Sequence, residues 1–116
     1  MTTQILYLKQ YDRQPYYYVQ AKTSDGTVID ITGATIYCTM KLVEGSIKIN
    51  RQTAGINVTD AENGKFEYRW QSGDTDATGS YYIEFEVNPS AGGKFTLPAS
   101  PGETARVKIE ASLDTT

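Results

Sequence analysis

The 116 residues of this chain include no histidine, which removes the Ser-His-Asp and Cys-His nucleophile systems and the commonest metal ligand together. What remains for chemistry is carboxylates, hydroxyls and one thiol. A carboxylate pair for glycoside hydrolysis could be drawn from Glu67, Glu84 and Glu86. Each stands opposite the apolar parity of its own run, beside Arg69 and Lys108, so a solvated sheet face with cross-strand charge pairs is expected instead. Gly73-Asp74-Thr75-Asp76 opens like a calcium loop, with carboxylates two residues apart, but the required Gly and distal Glu do not follow. Asp and Thr in such a stretch bond their own backbone and fix a turn. Ser46 and Ser80 have no base to activate them. The expectation is a protein with no catalytic residues, no metal site and no cofactor.

Cys38 shares a parity with Ile36 and Met40, as a small buried hydrophobe would. As the only cysteine it can form no intrachain disulfide, which suits assembly in a reducing cytoplasm. The nine tyrosines offer more. In Tyr16-Tyr17-Tyr18 one parity must be buried while Tyr16 and Tyr18 stand on the opposite face, and Tyr11, Tyr37 and Tyr82 also fall on outward parities. A tyrosine-rich surface suits a protein interface, because the ring buries area at low entropic cost. A half-buried sheet face covered by loops would use the same residues. Tyr16, Tyr18, Tyr37 and Tyr82 are the candidate interface residues.

Strands must carry these side chains, because period-two alternation recurs along the chain and helical periodicity does not. Ile5 to Lys9 reads as a first strand and Tyr16 to Lys22 as a second. The Asp25-Gly26 turn then leads to a returning arm, Val28 to Ile31. Ala34 to Lys41 follows, then brief strands around Ile47 and Ile49 and around Ile56 and Val58. Asn63-Gly64 is another tight-turn signal. Phe66 to Trp70 alternates three aromatics with two charges, and Tyr81, Ile83, Phe85 and Val87 share one face of the next strand. Phe95 and Leu97 form an arm that ends at Pro98. Val107, Ile109 and Ala111 alternate in the last strand, and Leu113 to Thr116 reads as a tail. The expected core is Ile36, Cys38, Met40, Phe66, Tyr68, Trp70, Tyr81, Ile83, Phe85, Val107 and Ile109.

Eight to nine short strands, with turn signals every eight to twelve residues, indicate an all-β fold in one domain spanning residues 1–116. Tyr81 opens its strand directly after an Asp- and Gly-containing corner, as the tyrosine corner of immunoglobulin-like domains does. The expected fold is therefore an immunoglobulin-like antiparallel β-sandwich. The net charge is −3, and the 11 basic residues are scattered singly, so no concentrated positive surface exists for nucleic acid. No apolar stretch approaches the ~20 residues of a membrane span, and polar Thr2-Thr3-Gln4 after Met1 gives no signal peptide. Neither nucleic acid nor membrane is an expected partner.

Three segments carry a resemblance. They are Asp30-Ile31-Thr32-Gly33-Ala34-Thr35-Ile36-Tyr37-Cys38-Thr39-Met40-Lys41, the block from Gly64 to Tyr81 with Glu84-Phe85-Glu86-Val87 after it, and Gly93-Lys94-Phe95-Thr96-Leu97-Pro98. In order and spacing, over roughly Val28 to Ile109, they resemble the N-terminal domain of the baseplate upper protein of tailed bacteriophages and small virion proteins related to it. The resemblance implies a β-sandwich that builds virus particles by contact with other virion proteins, without catalysis. It implies a homo-oligomer or other symmetric assembly, formed in the host cytoplasm and located in the virion. Because the chain stops at Thr116, without the family's helical linker, a short accessory subunit of the tail, baseplate or capsid surface is expected. A carbohydrate- or host-surface-binding module is the alternative, since sandwiches host such sites and exposed tyrosines stack on sugar rings.

Overall fold

The computed structural model describes residues 3–99 and 104–113. Nine strands lie among them: β1 (Thr3–Lys9), β2 (Tyr17–Gln20), β3 (Thr35–Leu42), β4 (Ile47–Gln52), β5 (Ile56–Asp60), β6 (Lys65–Tyr68), β7 (Gly79–Asn88), β8 (Phe95–Leu97) and β9 (Thr104–Glu110). One sheet runs β1-β9-β7-β3-β4, with β8 paired to the far half of β7, and the other runs β2-β6-β5. Strand β7 organises the larger sheet because Tyr81, Ile83, Phe85 and Val87 alternate over its whole length and all turn inward. Rings from the smaller sheet meet it across the core. Phe66 packs edge-on against Phe85 at 5.3 Å, and Tyr17 lies 5.6 Å from the same ring. All eleven expected core residues are at most 3% exposed.

The pairing of a β2-β6-β5 sheet with a β9-β7-β3-β4 sheet is the immunoglobulin-like arrangement. The tyrosine corner is present. Tyr81 Oη donates to the Ala77 carbonyl at 2.8 Å, closing the bend that leads into β7. One expectation is corrected: the sandwich is not wholly antiparallel. β1 pairs in parallel with β9, from Thr3 opposite Thr104 to Lys9 opposite Glu110. That contact joins the two ends of the sequence, and neither run alone encodes its partner's direction.

Local chemistry explains the other departures. Val28 to Ile31 makes no strand, only a bridge between Lys22 and Val28. Asp30 Oδ1 accepts from the Thr32 amide and hydroxyl at 2.9 and 2.6 Å, bending the arm. Its backbone amides then go to different partners, Ile29 to Ala21 and Ile31 to Ala61. Asn63-Gly64 is not a two-residue hairpin turn. A 3-10 turn, Ala61–Asn63, closes on Gly64 at φ 70° and ψ 20°. A Cβ there would stand 2.5 Å from the Ile29 carbonyl, so glycine alone fits. In β4 a register shift against β3 leaves Ile49 buried but Ile47 57% exposed. The last strand ends at Glu110, with Ala111 exposed beyond it.

Candidate functional site

The four candidate tyrosines sit on opposite outer faces of the sandwich, in two pairs. Tyr16 and Tyr18 flank the start of β2 on the outside of the smaller sheet, with ring centroids 6.4 Å apart. Tyr18 is 66% exposed, whereas Tyr16 is half-buried against the domain. The Arg69 guanidinium lies 5.3 Å over the Tyr16 ring and donates through Nε to Glu67 Oε2 at 2.6 Å. Asn57 Nδ2 donates to the same oxygen at 3.2 Å. Glu67 is consequently buried, which corrects its expected place on a solvated face. The alternation was right about direction, but neighbours on β5 and after β6 cover the carboxylate.

Tyr37 and Tyr82 stand on the outside of the larger sheet, on β3 and β7, both half-buried. Each also carries an arginine. Arg51 lies 4.3 Å over Tyr37, and Arg106 lies 5.0 Å over Tyr82 while donating from Nη2 to its hydroxyl at 3.3 Å. Arg51 adopts a φ of 50° at the β4 irregularity, a left-handed conformation that costs a non-glycine residue about 1 kcal/mol. The stacking on Tyr37 and a 2.6 Å bond from Nη1 to Glu86 Oε1 offset it. Glu86 also accepts from Asn88 at 2.9 Å. That amide first, and Arg51 second, hold the Glu86 carboxyl below its ordinary value. Glu67 and the Glu84–Glu86 pair therefore lie on opposite outer faces of the sandwich, too far apart to flank one glycosidic bond.

The acidic loop is committed to structure. Asp74 Oδ2 accepts from Tyr68 Oη at 2.6 Å and from the Gln71 amide at 2.8 Å. Thr75, almost fully buried, donates to the Asp12 carbonyl at 2.8 Å, and Gln10 Nε2 donates to the Asp76 carbonyl at 2.7 Å. The Asp76 carboxylate pairs with Lys48. Among the described residues no group of three or more Cys, Asp or Glu side chains gathers to hold a metal ion. Chelator is accordingly expected to leave the melting temperature unchanged. A rise of several degrees on adding calcium would show that these carboxylates are not committed to the loop.

No protein-family model matches the chain, and no curated protein matches it significantly. One feature escaped sequence reasoning altogether. A groove of about 350 Å³ opens where the edge of β2 meets the end of β8, lined by Tyr17, Tyr18, Gln20, Lys22, Leu97 and Pro98 among others. Among the described residues β2 has β6 as its one strand partner, and the groove runs along its other edge. Sequence alternation assigns side chains to faces, but it carries no signal for a gap between two sheet edges. Among the described residues no helix is long and apolar enough to cross a membrane.

Proposed function

We propose that this chain is a non-enzymatic structural subunit of a tailed-phage virion, a tail or baseplate component or a capsid decoration, acting by protein–protein contact in a symmetric assembly. The observation that carries this reading is the tyrosine–arginine cluster on each outer face, Tyr16, Tyr18 and Arg69 on one and Tyr37, Tyr82, Arg51 and Arg106 on the other. Tyr and Arg are the residue types most enriched where interfaces concentrate their binding energy. Two such faces suit a subunit held between neighbours. The resemblance to baseplate upper proteins supports the same reading, as does the commitment of the acidic loop to the fold.

Terminal segments are further contact candidates. Leu113 is fully exposed, whereas β1 is already held by β9 of its own domain. Met1, Thr2 and Asp114 to Thr116 lie outside the described residues. The test is replacement of Tyr16 and Tyr18 by Ser, followed by measurement of folding and of incorporation into particles. Incorporation is expected to fall about tenfold or more, the effect of losing about 1.4 kcal/mol of contact energy, with stability retained. Normal incorporation would remove this face from the proposal, and a virion lacking the protein would sink it.

The groove beside β2 favours a second reading, a host-surface saccharide site. Tyr18 presents an exposed ring there next to Gln20, Lys22 and Thr23, an apolar face with convergent polar groups. Under this reading the Tyr18 change abolishes saccharide binding and leaves incorporation intact.

A further inference from the structure

Main-chain groups of β2 and the residues after it form an unanswered row along the groove. Tyr17 and Val19 pair with Tyr68 and Phe66 on β6, and two residues on the Ala21 amide donates to the Gly64 carbonyl at 2.7 Å. Alternate residues of an antiparallel pair exchange both bonds, so Tyr17 and Val19 direct their amides and carbonyls at β6 as well. Tyr18 and Gln20 therefore point theirs the other way, into the groove. Lys22 continues the row. It bridges Val28 through bonds made by its neighbours, from the Thr23 amide to Thr27 at 2.8 Å and from the Ile29 amide to Ala21 at 2.9 Å. Its own amide and carbonyl consequently face the groove too. Among the described residues nothing on that side bonds the main chain of Tyr18, Gln20 or Lys22. Donors and acceptors thus recur at every second residue, the repeat of a strand ladder.

Register shifts interrupt the pairing of β4 and of β5, and irregularity of that kind discourages strand addition. The β2 register runs unbroken from Tyr17 to Gln20, with no proline or inward charge to guard it. We propose that an extended segment of a neighbouring virion protein adds to β2 as a further strand and fills the groove. This deepens the structural-subunit reading and rests on it for the partner. Bonding to Tyr18, Gln20 and Lys22 takes a segment of about five residues. The two sides of the edge set its chemistry. Side chains opposite Tyr17 and Val19 turn inward onto Phe85, Leu97 and Ala105, which suits apolar residues. The side chain opposite Lys22 is acidic, because Lys22 is exposed and in no ion pair among the described residues. A saccharide has no amides and carbonyls at strand spacing, so the row favours a peptide as the occupant of this groove.

The test is amide hydrogen exchange at Tyr18, Gln20 and Lys22, compared between the free chain and purified particles. Exchange is expected to be fast in the free chain and about tenfold or more slower in particles. Gln20→Pro removes one edge donor and leaves the ladder to β6 intact, so its incorporation is expected to fall about tenfold or more. Gln20→Ala loses the same side-chain bond to the Asn63 carbonyl but keeps the amide, and is expected to incorporate normally. Should Gln20→Pro fail to fold, the exchange comparison on the wild-type chain decides by itself. Amides already protected in the free chain, or unprotected in particles, overturn this inference alone, as does equal incorporation of the two variants. Protection by host cell-wall polysaccharide added to the free chain, with none in particles, also overturns it and gives the groove to a saccharide. A particle that lacks the chain sinks the structural-subunit reading, and with it the partner named here.

Discussion

Trp70→Ala is expected to destabilise the domain by about 3–5 kcal/mol, the usual cost of removing a large buried ring. Trp70 is the largest of the fully buried side chains, 1% exposed, and its ring stands edge-on to Tyr68 at 5.3 Å. It also ties a loop to the core. Its Nε1 donates to the Pro15 carbonyl at 2.9 Å, and the Trp70 carbonyl accepts from Arg13 Nε at 2.9 Å. Truncation therefore opens a cavity and leaves the Pro15 carbonyl without its donor, and the segment leading into β2 loses its anchor. Domains of this kind are stable by roughly 5–15 kcal/mol in total, so the variant is left marginal. Urea unfolding measures the difference directly. A midpoint equal to that of the wild-type chain would mean that the inward parity of Phe66 to Trp70 is wrong.

That parity was legible because alternation is a local property. Phe66, Tyr68 and Trp70, or Tyr81, Ile83 and Phe85, point the same way whatever strand lies beside them. The tyrosine corner was legible for the same reason, since Ala77 and Tyr81 are four residues apart. Alternation fails where tertiary neighbours decide. It put Glu67 outside correctly, but it could not reveal that Asn57 and Arg69 would cover it. It placed Ile47 with Ile49, and a register shift against β3 separated them. The parallel pairing of β1 with β9 depends on a contact across almost the whole chain. The candidate site suffered most from this limit. Tyr16, Tyr18, Tyr37 and Tyr82 were all recognisable as outward, but parity cannot say which of two outer faces a residue joins. The division into two arginine-backed pairs emerges only from strand order.

Alkaline pH should unfold this domain well before its exposed groups would require it. Burial pushes the Tyr68 phenol above its ordinary value, and its donation to the Asp74 carboxylate raises it further. Burial likewise raises the Tyr81 phenol and, with the Asp74 charge adding to it, the Cys38 thiol. All three groups are neutral in the folded chain over a range where the unfolded chain ionises them. The folded values lie above the unfolded ones, so the folded state binds more protons as pH rises and stability falls. The contribution is fully present below about pH 8, starts to fail near the ordinary thiol value of about 8.5, and falls faster past the ordinary phenol value of about 10. With one thiol and two phenols held neutral to that point, the accumulated loss at about pH 11 is about 6 kcal/mol. Urea midpoints at the two pH values measure it, and a spectrophotometric titration of the nine tyrosines identifies which phenols ionise only on unfolding. Equal midpoints would show that these groups reach solvent in the folded state. Cys38→Ala should shrink the pH-dependent loss by about half, because the thiol begins to ionise earliest and contributes over the widest range. Its packing cost enters at both pH values and cancels from the difference, so a loss undiminished by this change would place the alkaline sensitivity on the phenols alone.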